Sequence, residues 1–142
     1  MTAEEKRATV QLVCVLGAYL GYVAIVLVRA GGGPVTAVDY VAPLIGSILV
    51  SIVVSIVVNI VINAVSSTTR DRKDARDRTI DRFGEHSGRW GLIAGATLAL
   101  ILAMLRVDPF WIANALYLGF ALAGVTAGLA KLVAYRRGLR TW

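Results

Sequence analysis

The sequence predicts an all-α membrane protein: four transmembrane helices in a bundle of two hairpins, with both termini cytoplasmic. Three observations carry that prediction. The chain contains four long apolar runs, none of them holds an Asp, Glu, His, Lys or Arg, and most of the basic residues collect on one side of them. Over all 142 residues the chain is 57% apolar and only 17% charged, with a mean hydropathy of +0.70, which is too apolar for a soluble domain. The spans are expected at about 9–28, 41–65, 89–106 and 109–133, the last two extending just past their charge-free runs (90–105 and 109–130) to take in the flanking Arg89, Arg106 and Lys131, and they are joined in the middle by a charged cytoplasmic loop over 66–88.

A short polar leader carries Glu4, Glu5, Lys6 and Arg7, and residues 8–28 are then uncharged. A secretory signal would have a shorter apolar core and a small-x-small cleavage site; neither is apparent, so this run reads as an anchor. Gly17 and Gly21 form a GxxxG pair suited to helix packing. Tyr19 falls about 15 Å into the bilayer, where its hydroxyl needs a partner from another helix. Cys14 is the single cysteine, so no intrachain disulfide can form, and with Val13 before it the site is wrong for lipoprotein cleavage.

Arg29 closes the first helix, and the stretch AGGGPVTAV at 30–38 is a turn before Asp39, which can cap the second helix. Tyr40 suits the interface, and Pro43 falls in the first turn, where its missing N–H is tolerated. Residues 40–69 contain no charge and would reach about 45 Å as a helix. Within them Ser47, Ser51, Ser55, Asn59 and Asn63 recur at strict four-residue spacing, giving one polar edge around which the other segments are expected to pack. Residues four apart drift by about 40° per step, so a right-handed crossing or two successive partners would be needed to cover all five. A serine can return its hydroxyl to the carbonyl one turn back, whereas an asparagine amide keeps donors and acceptors to satisfy. Asn59 and Asn63 should therefore face protein or water. The stripe is either a packing seam or the lining of a path.

From residue 66 the composition changes: Arg70, Arg72, Lys73, Arg76, Arg78, Arg82 and Arg89 alternate with Asp71, Asp74, Asp77, Asp81 and Glu85. Opposite charges recur at i,i+4, each pair worth about 0.2 to 0.5 kcal/mol, so the second span should extend as a helix through Phe83 and end at Gly84. His86, the single histidine, reads as a solvated loop residue. The third span is short, with Gly91, Gly95, Ala99 and Ala103 forming a smooth face every four residues. Asp108 and Pro109 then read as N-cap and first residue of the fourth helix, which carries Asn114, Tyr117 and the GxxxG pair Gly124 and Gly128. Tyr19, Ser51, Thr97 and Tyr117 fall at similar depths and predict a polar layer in mid-membrane.

Two basic residues lie in the leader, seven in the central loop and four in the tail from Lys131, thirteen in all, against Arg29 and Arg106 in the two short turns. That asymmetry predicts a multi-pass protein of the cell's inner (plasma) membrane with N and C termini cytoplasmic. It also accounts for the net charge of +6 as a topological signal and an attraction for anionic lipids, so no direct nucleic-acid binding is expected.

In the central loop Asp74, Ala75, Arg76 and Asp77, with Ile80 three residues on, resemble the D-E-R-D/E-x-x-I signature of an uncharacterised family of small four-helix prokaryotic membrane proteins, with alanine in place of the usual glutamate. The stretches FWIANALYLGFALAG and KLVAYRRG look like its actinobacterial members, and the likeness covers roughly residues 66–138. The resemblance implies a fold and a membrane location. Some small proteins of this general kind are encoded beside helix-turn-helix regulators, which hints at a protein partner.

Catalysis and proton coupling within a membrane usually need ionisable groups at depth, and the spans hold none. Small multidrug exporters have a similar length and helix count, but they rely on a glutamate in the first helix that is missing here. No enzyme activity, cofactor or metal is therefore expected. The favoured reading is a regulatory or scaffold module acting on a cytoplasmic protein partner or anionic lipid through Arg70, Arg72, Lys73, Asp74, Arg76, Asp77, Arg78, Ile80 and Asp81. The alternative is a homo-oligomeric channel or small-solute transporter with the Ser/Asn stripe lining its path. Either could self-associate, a dimer being favoured, because the spans offer more small-residue faces than one bundle can cover.

Overall fold

The computed structural model describes residues 3–65 and 75–137, with the side chains of Ala3, Glu4, Asn63, Ala75, Arg76, Asp77 and Arg137 outside the description. Arg70, Arg72, Lys73 and Asp74 of the expected docking loop also lie outside the described residues. The described chain is all helical: α1 (Ala3–Ala30), α2 (Val41–Val65), α3 (Ala75–Met104) and α4 (Pro109–Arg137), with a single 3-10 turn at Val35–Ala37. Each of the four is long and apolar enough to cross a membrane. Leu20, Val28, Val50, Ile60, Leu100 and Met104 are among many large apolar side chains left at least 60% exposed. A soluble monomer rarely exposes a contiguous apolar patch above a few hundred Å², so this band is the lipid-facing surface of a multi-pass membrane protein.

α3 and α4 pack antiparallel along nearly their whole length. A Cβ built on Gly95 would overlap the Gly119 Cα, one on Gly91 would fall 2.8 Å from the Ala123 nitrogen, and one on Gly88 would fall 2.7 Å from the Ala123 carbonyl. These contacts set the register: 95 faces 119 and 91 faces 123, and on the same register 99 faces 115. Ala99 and Ala115 are both buried. Small residues on both sides let the backbones touch, which maximises dispersion contact where lipid supplies no hydrophobic driving force. α4 turns a second small face to α1, where Gly124 meets Val15 and Gly128 meets Leu12. α1 in turn packs on α2.

α4 is thus the hub and α2 the edge, contrary to the expectation that the other segments surround α2. The physical reason lies in side-chain size. α2 carries Ile, Val or Leu on nearly every face, which keeps neighbouring backbones away, whereas α4 has Gly and Ala on two faces. Ile45, Leu49, Ile52, Val53 and Ile56 stand about half-exposed.

Gly84 likewise does not end a helix. α3 runs unbroken through Gly84 and Gly88 to Met104, and residues 75–83 belong to the third helix. A mid-helix glycine costs about 1 kcal/mol relative to alanine. Both glycines are buried, and a Cβ on Gly84 would meet the Lys131 side chain at 2.6 Å, so the close approach of α4 offsets that cost.

At the other end of the bundle Arg106 takes a left-handed φ of 55°, letting the Val107 N–H reach back to the Leu102 carbonyl and finish α3. Asp108 then caps α4, accepting from the Phe110 N–H at 2.8 Å, as its position before Pro109 suggests. Asp39 has a different role from the expected cap. α2 starts at Val41, and the Asp39 backbone carbonyl accepts from Arg29 at 3.2 Å. Tyr22, Val26 and Phe110 form the core at this end, with Tyr40 set edge-on to Phe110 at 5.1 Å.

Gly119→Ala should destabilise the bundle by about 1 to 3 kcal/mol through overpacking against Gly95. Gly46→Ala, with open space around the new Cβ, should be neutral. Reversible unfolding of the two variants in detergent measures the contrast.

Candidate functional site

Two polar regions occupy the helix interfaces. The first is a layer on α1, α2 and α4. Tyr19 and Tyr22 share a face of α1, Asn114 and Tyr117 share a face of α4, and the antiparallel pairing brings the two sets together. Tyr22, only 1% exposed, donates to the Asn114 Oδ1 at 2.8 Å, while the Asn114 amide donates to the Phe110 carbonyl. Tyr19 and Tyr22 both meet the Tyr117 ring edge-on, at 5.4 and 5.2 Å. The Tyr117 hydroxyl is 2.9 Å from the Ser47 Oγ. Since the Ser47 proton is given to the Leu44 carbonyl at 2.8 Å, Tyr117 is the donor in that pair.

Tyr19, Ser51 and Tyr117 line one hollow of about 240 Å³ between α1, α2 and α4. Thr97, expected in the same layer, is on an exposed side of α3 because the α3–α4 register turns the glycine face inward instead. Sequence reasoning missed Tyr22 and its pairing with Asn114. The available signal was the matched three-residue spacing of Tyr19 with Tyr22 and of Asn114 with Tyr117.

The α2 stripe meets two successive helices. Ser47 is bonded to α4, and Ser51 returns its hydroxyl to the Ile48 carbonyl at 2.8 Å beside Tyr19 and Tyr117. Ser55 and Asn59 turn to α1 around a small hollow of about 40 Å³ that they share with Arg7, Gln11 and Cys14. Asn59 donates to the Ser55 carbonyl at 2.8 Å, which leaves its Oδ1 as an acceptor.

The second polar region is the end of the bundle where α1 begins, α2 and α4 finish and α3 begins. Glu5 and Arg136 pair there at 3.4 Å, and Lys131 pairs with Asp81 at 3.1 Å, both largely buried. A cleft of about 240 Å³ opens between all four helices, lined by Arg7, Asn59, Asp81, Glu85, Lys131 and Tyr135 among others. Arg78 stands exposed. Ile80 is fully buried, so it contributes to packing and has no surface left for a partner. Of the expected packing glycines, Gly91, Gly95, Gly124 and Gly128 sit against other helices, while Gly17 and Gly21 have open space around them.

Among the described residues no three His, Cys, Asp or Glu side chains gather into a group able to hold a metal. His86 is exposed. Comparison with protein-family models, curated proteins and solved structures finds no match for this chain.

Tyr22→Phe should cost about 0.6 to 1.7 kcal/mol, the range of interhelical hydrogen bonds in membranes, by stranding the Asn114 Oδ1. Tyr117→Phe should cost less, because Ser47 keeps its own carbonyl bond. Steric-trapping or denaturant unfolding of both variants tests the order.

Proposed function

We propose that the chain is a non-enzymatic regulatory or scaffold module of the plasma membrane, with both termini cytoplasmic, which docks a protein partner or anionic lipid through its charged end. The observation that carries this reading is the segregation of basic residues: thirteen belong to the leader, the central charged segment and the tail, and two to the opposite turns. The Glu5–Arg136 pair draws the start of α1 and the end of α4 together at that end. The first turns of α3 add exposed Arg78 and Arg82. Such a surface attracts anionic headgroups and acidic protein segments over about a Debye length, roughly 8 Å at physiological salt.

The spanning helices support a docking role over a transport one. The Ser47–Tyr117 bond closes the stripe toward the turn end, and Ser51 and Asn59 spend hydrogen bonds on their own helix. Self-association belongs to the same proposal, because exposed Gly17 and Gly21 allow close approach by a helix of a second copy.

Single cysteines introduced into a Cys14→Ser background should label from outside the cell at Gly32 and Val107, and at Arg82 only after permeabilisation. The reverse pattern would refute the orientation. Purified protein in liposomes should carry no solute or ion flux; a robust current lost on changing Ser51 or Asn59 would replace docking with a channel.

A further inference from the structure

The cleft at the charged end and the hollow at mid-depth lie in line along α1, α2 and α4, and together they define one candidate groove. On α1 its floor passes from Gln11 to Val15 and Ala18, three positions on one helix face, and on α2 its wall passes from Asn59 through Ser55 to Ser51. On α4 it passes from Lys131 down to Ala121 and Phe120. α2 packs extensively on α1 alone, so the gap between α2 and α4 opens sideways to lipid. The two ends differ in chemistry. The mid-depth hollow is walled mainly by Val15, Ala18, Ile48, Phe120 and Ala121. The cleft presents two cations, Arg7 and Lys131, and two carboxylates, Asp81 and Glu85.

Length fits a lipid as well. Lys131 is the first charged residue after the uncharged run 109–130, so the cleft that it shares with Asn59 lies near the boundary between headgroups and hydrocarbon. From Asn59 to Ser51 is a further 12 Å, roughly, along α2, room for much of one acyl chain.

We propose that this groove binds an amine-bearing phospholipid of the phosphatidylethanolamine class, with its headgroup in the cleft and one chain in the α2–α4 gap. The lining selects the headgroup. A phosphate needs basic partners, which Arg7 and Lys131 supply, and a primary ammonium needs acceptors. Glu85, which has no hydrogen bond or ion pair among the described residues, and the Asn59 Oδ1 supply those. A choline head carries no N–H to give them. A purely anionic head brings no ammonium to Glu85, and its uncompensated negative charge lies near that carboxylate. The site does not depend on the docking reading: it is an intramembrane groove between helices, whereas docking concerns the basic surface outside it.

The test is native mass spectrometry of the full chain released from nanodiscs that hold equal parts of phosphatidylethanolamine, phosphatidylcholine and phosphatidylglycerol with identical acyl chains. Phosphatidylethanolamine should be retained about fivefold over each of the others. Glu85→Gln, an isosteric change at an exposed helix position, should bring it down to the phosphatidylcholine level. Asn59→Leu, on a different helix and more apolar, should lower the preference about twofold. Glycerophosphoethanolamine in solution should leave the bound lipid in place, because it lacks the chain. Equal retention of the three lipids, preference for phosphatidylglycerol, an unchanged preference in Glu85→Gln, or displacement by the soluble headgroup would each overturn the proposal.

Discussion

The contact between Gly95 and Gly119, where two backbones meet with no side chain between them, sets the geometry of the whole bundle. In lipid an apolar side chain gains little by moving from one hydrocarbon environment to another, so helices associate through the number of atoms they bring into contact and the polar groups they satisfy. Glycine and alanine at every interior turn of α3 and α4 supply the first. Because that interface fixes the rotation of α4, it also fixes which face α4 gives to α1, and hence where Asn114 and Tyr117 meet Tyr22, Tyr19 and Ser47. The polar layer follows from the glycine register.

This division of labour explains why α2 can be so apolar and yet so loosely held. Ser47 and Ser51 give their hydroxyl protons to carbonyls of the same helix, and among the described residues its bond to α4 is at Ser47. The result is a three-helix core of α3, α4 and α1 with α2 leaning on α1, and a cleft between all four helices at the charged end. There the charges are arranged in depth. Lys131 folds over Gly84 and pairs with Asp81 in the interior, while Arg78 and Arg82 remain outside. Ile80, on the same helix, is wholly buried, whereas Phe83 stands about half-exposed.

The four spans were legible in the sequence because charge is expensive in hydrocarbon and its absence over long runs is conspicuous. The Asp108 cap was legible for a local reason, since a capping side chain and a following proline act within three residues. The hub was not. Ala115, Gly119, Ala123 and Ala127 look like ordinary apolar content until a facing helix gives them a register, while the α2 stripe attracts attention because polar residues stand out whether or not they hold anything. Gly84 shows the same limit. Its usual meaning as a helix stop was overridden by the approach of α4, a contact between residues nearly fifty positions apart. Tyr22 needed its partner on α4 to be recognised as more than an apolar-helix tyrosine.

Disulfide mapping tests the arrangement most directly. In the Cys14→Ser background, Ala99→Cys with Ala115→Cys places two thiols at facing buried positions of the α3–α4 seam, while Val54→Cys on the exposed side of α2 with Ala94→Cys on the exposed side of α3 pairs two helices that do not pack extensively on each other. Mild oxidation should close the first pair within the chain nearly completely and leave the second open. Ready closure between α2 and α3, with none between positions 99 and 115, would contradict a bundle built around α4.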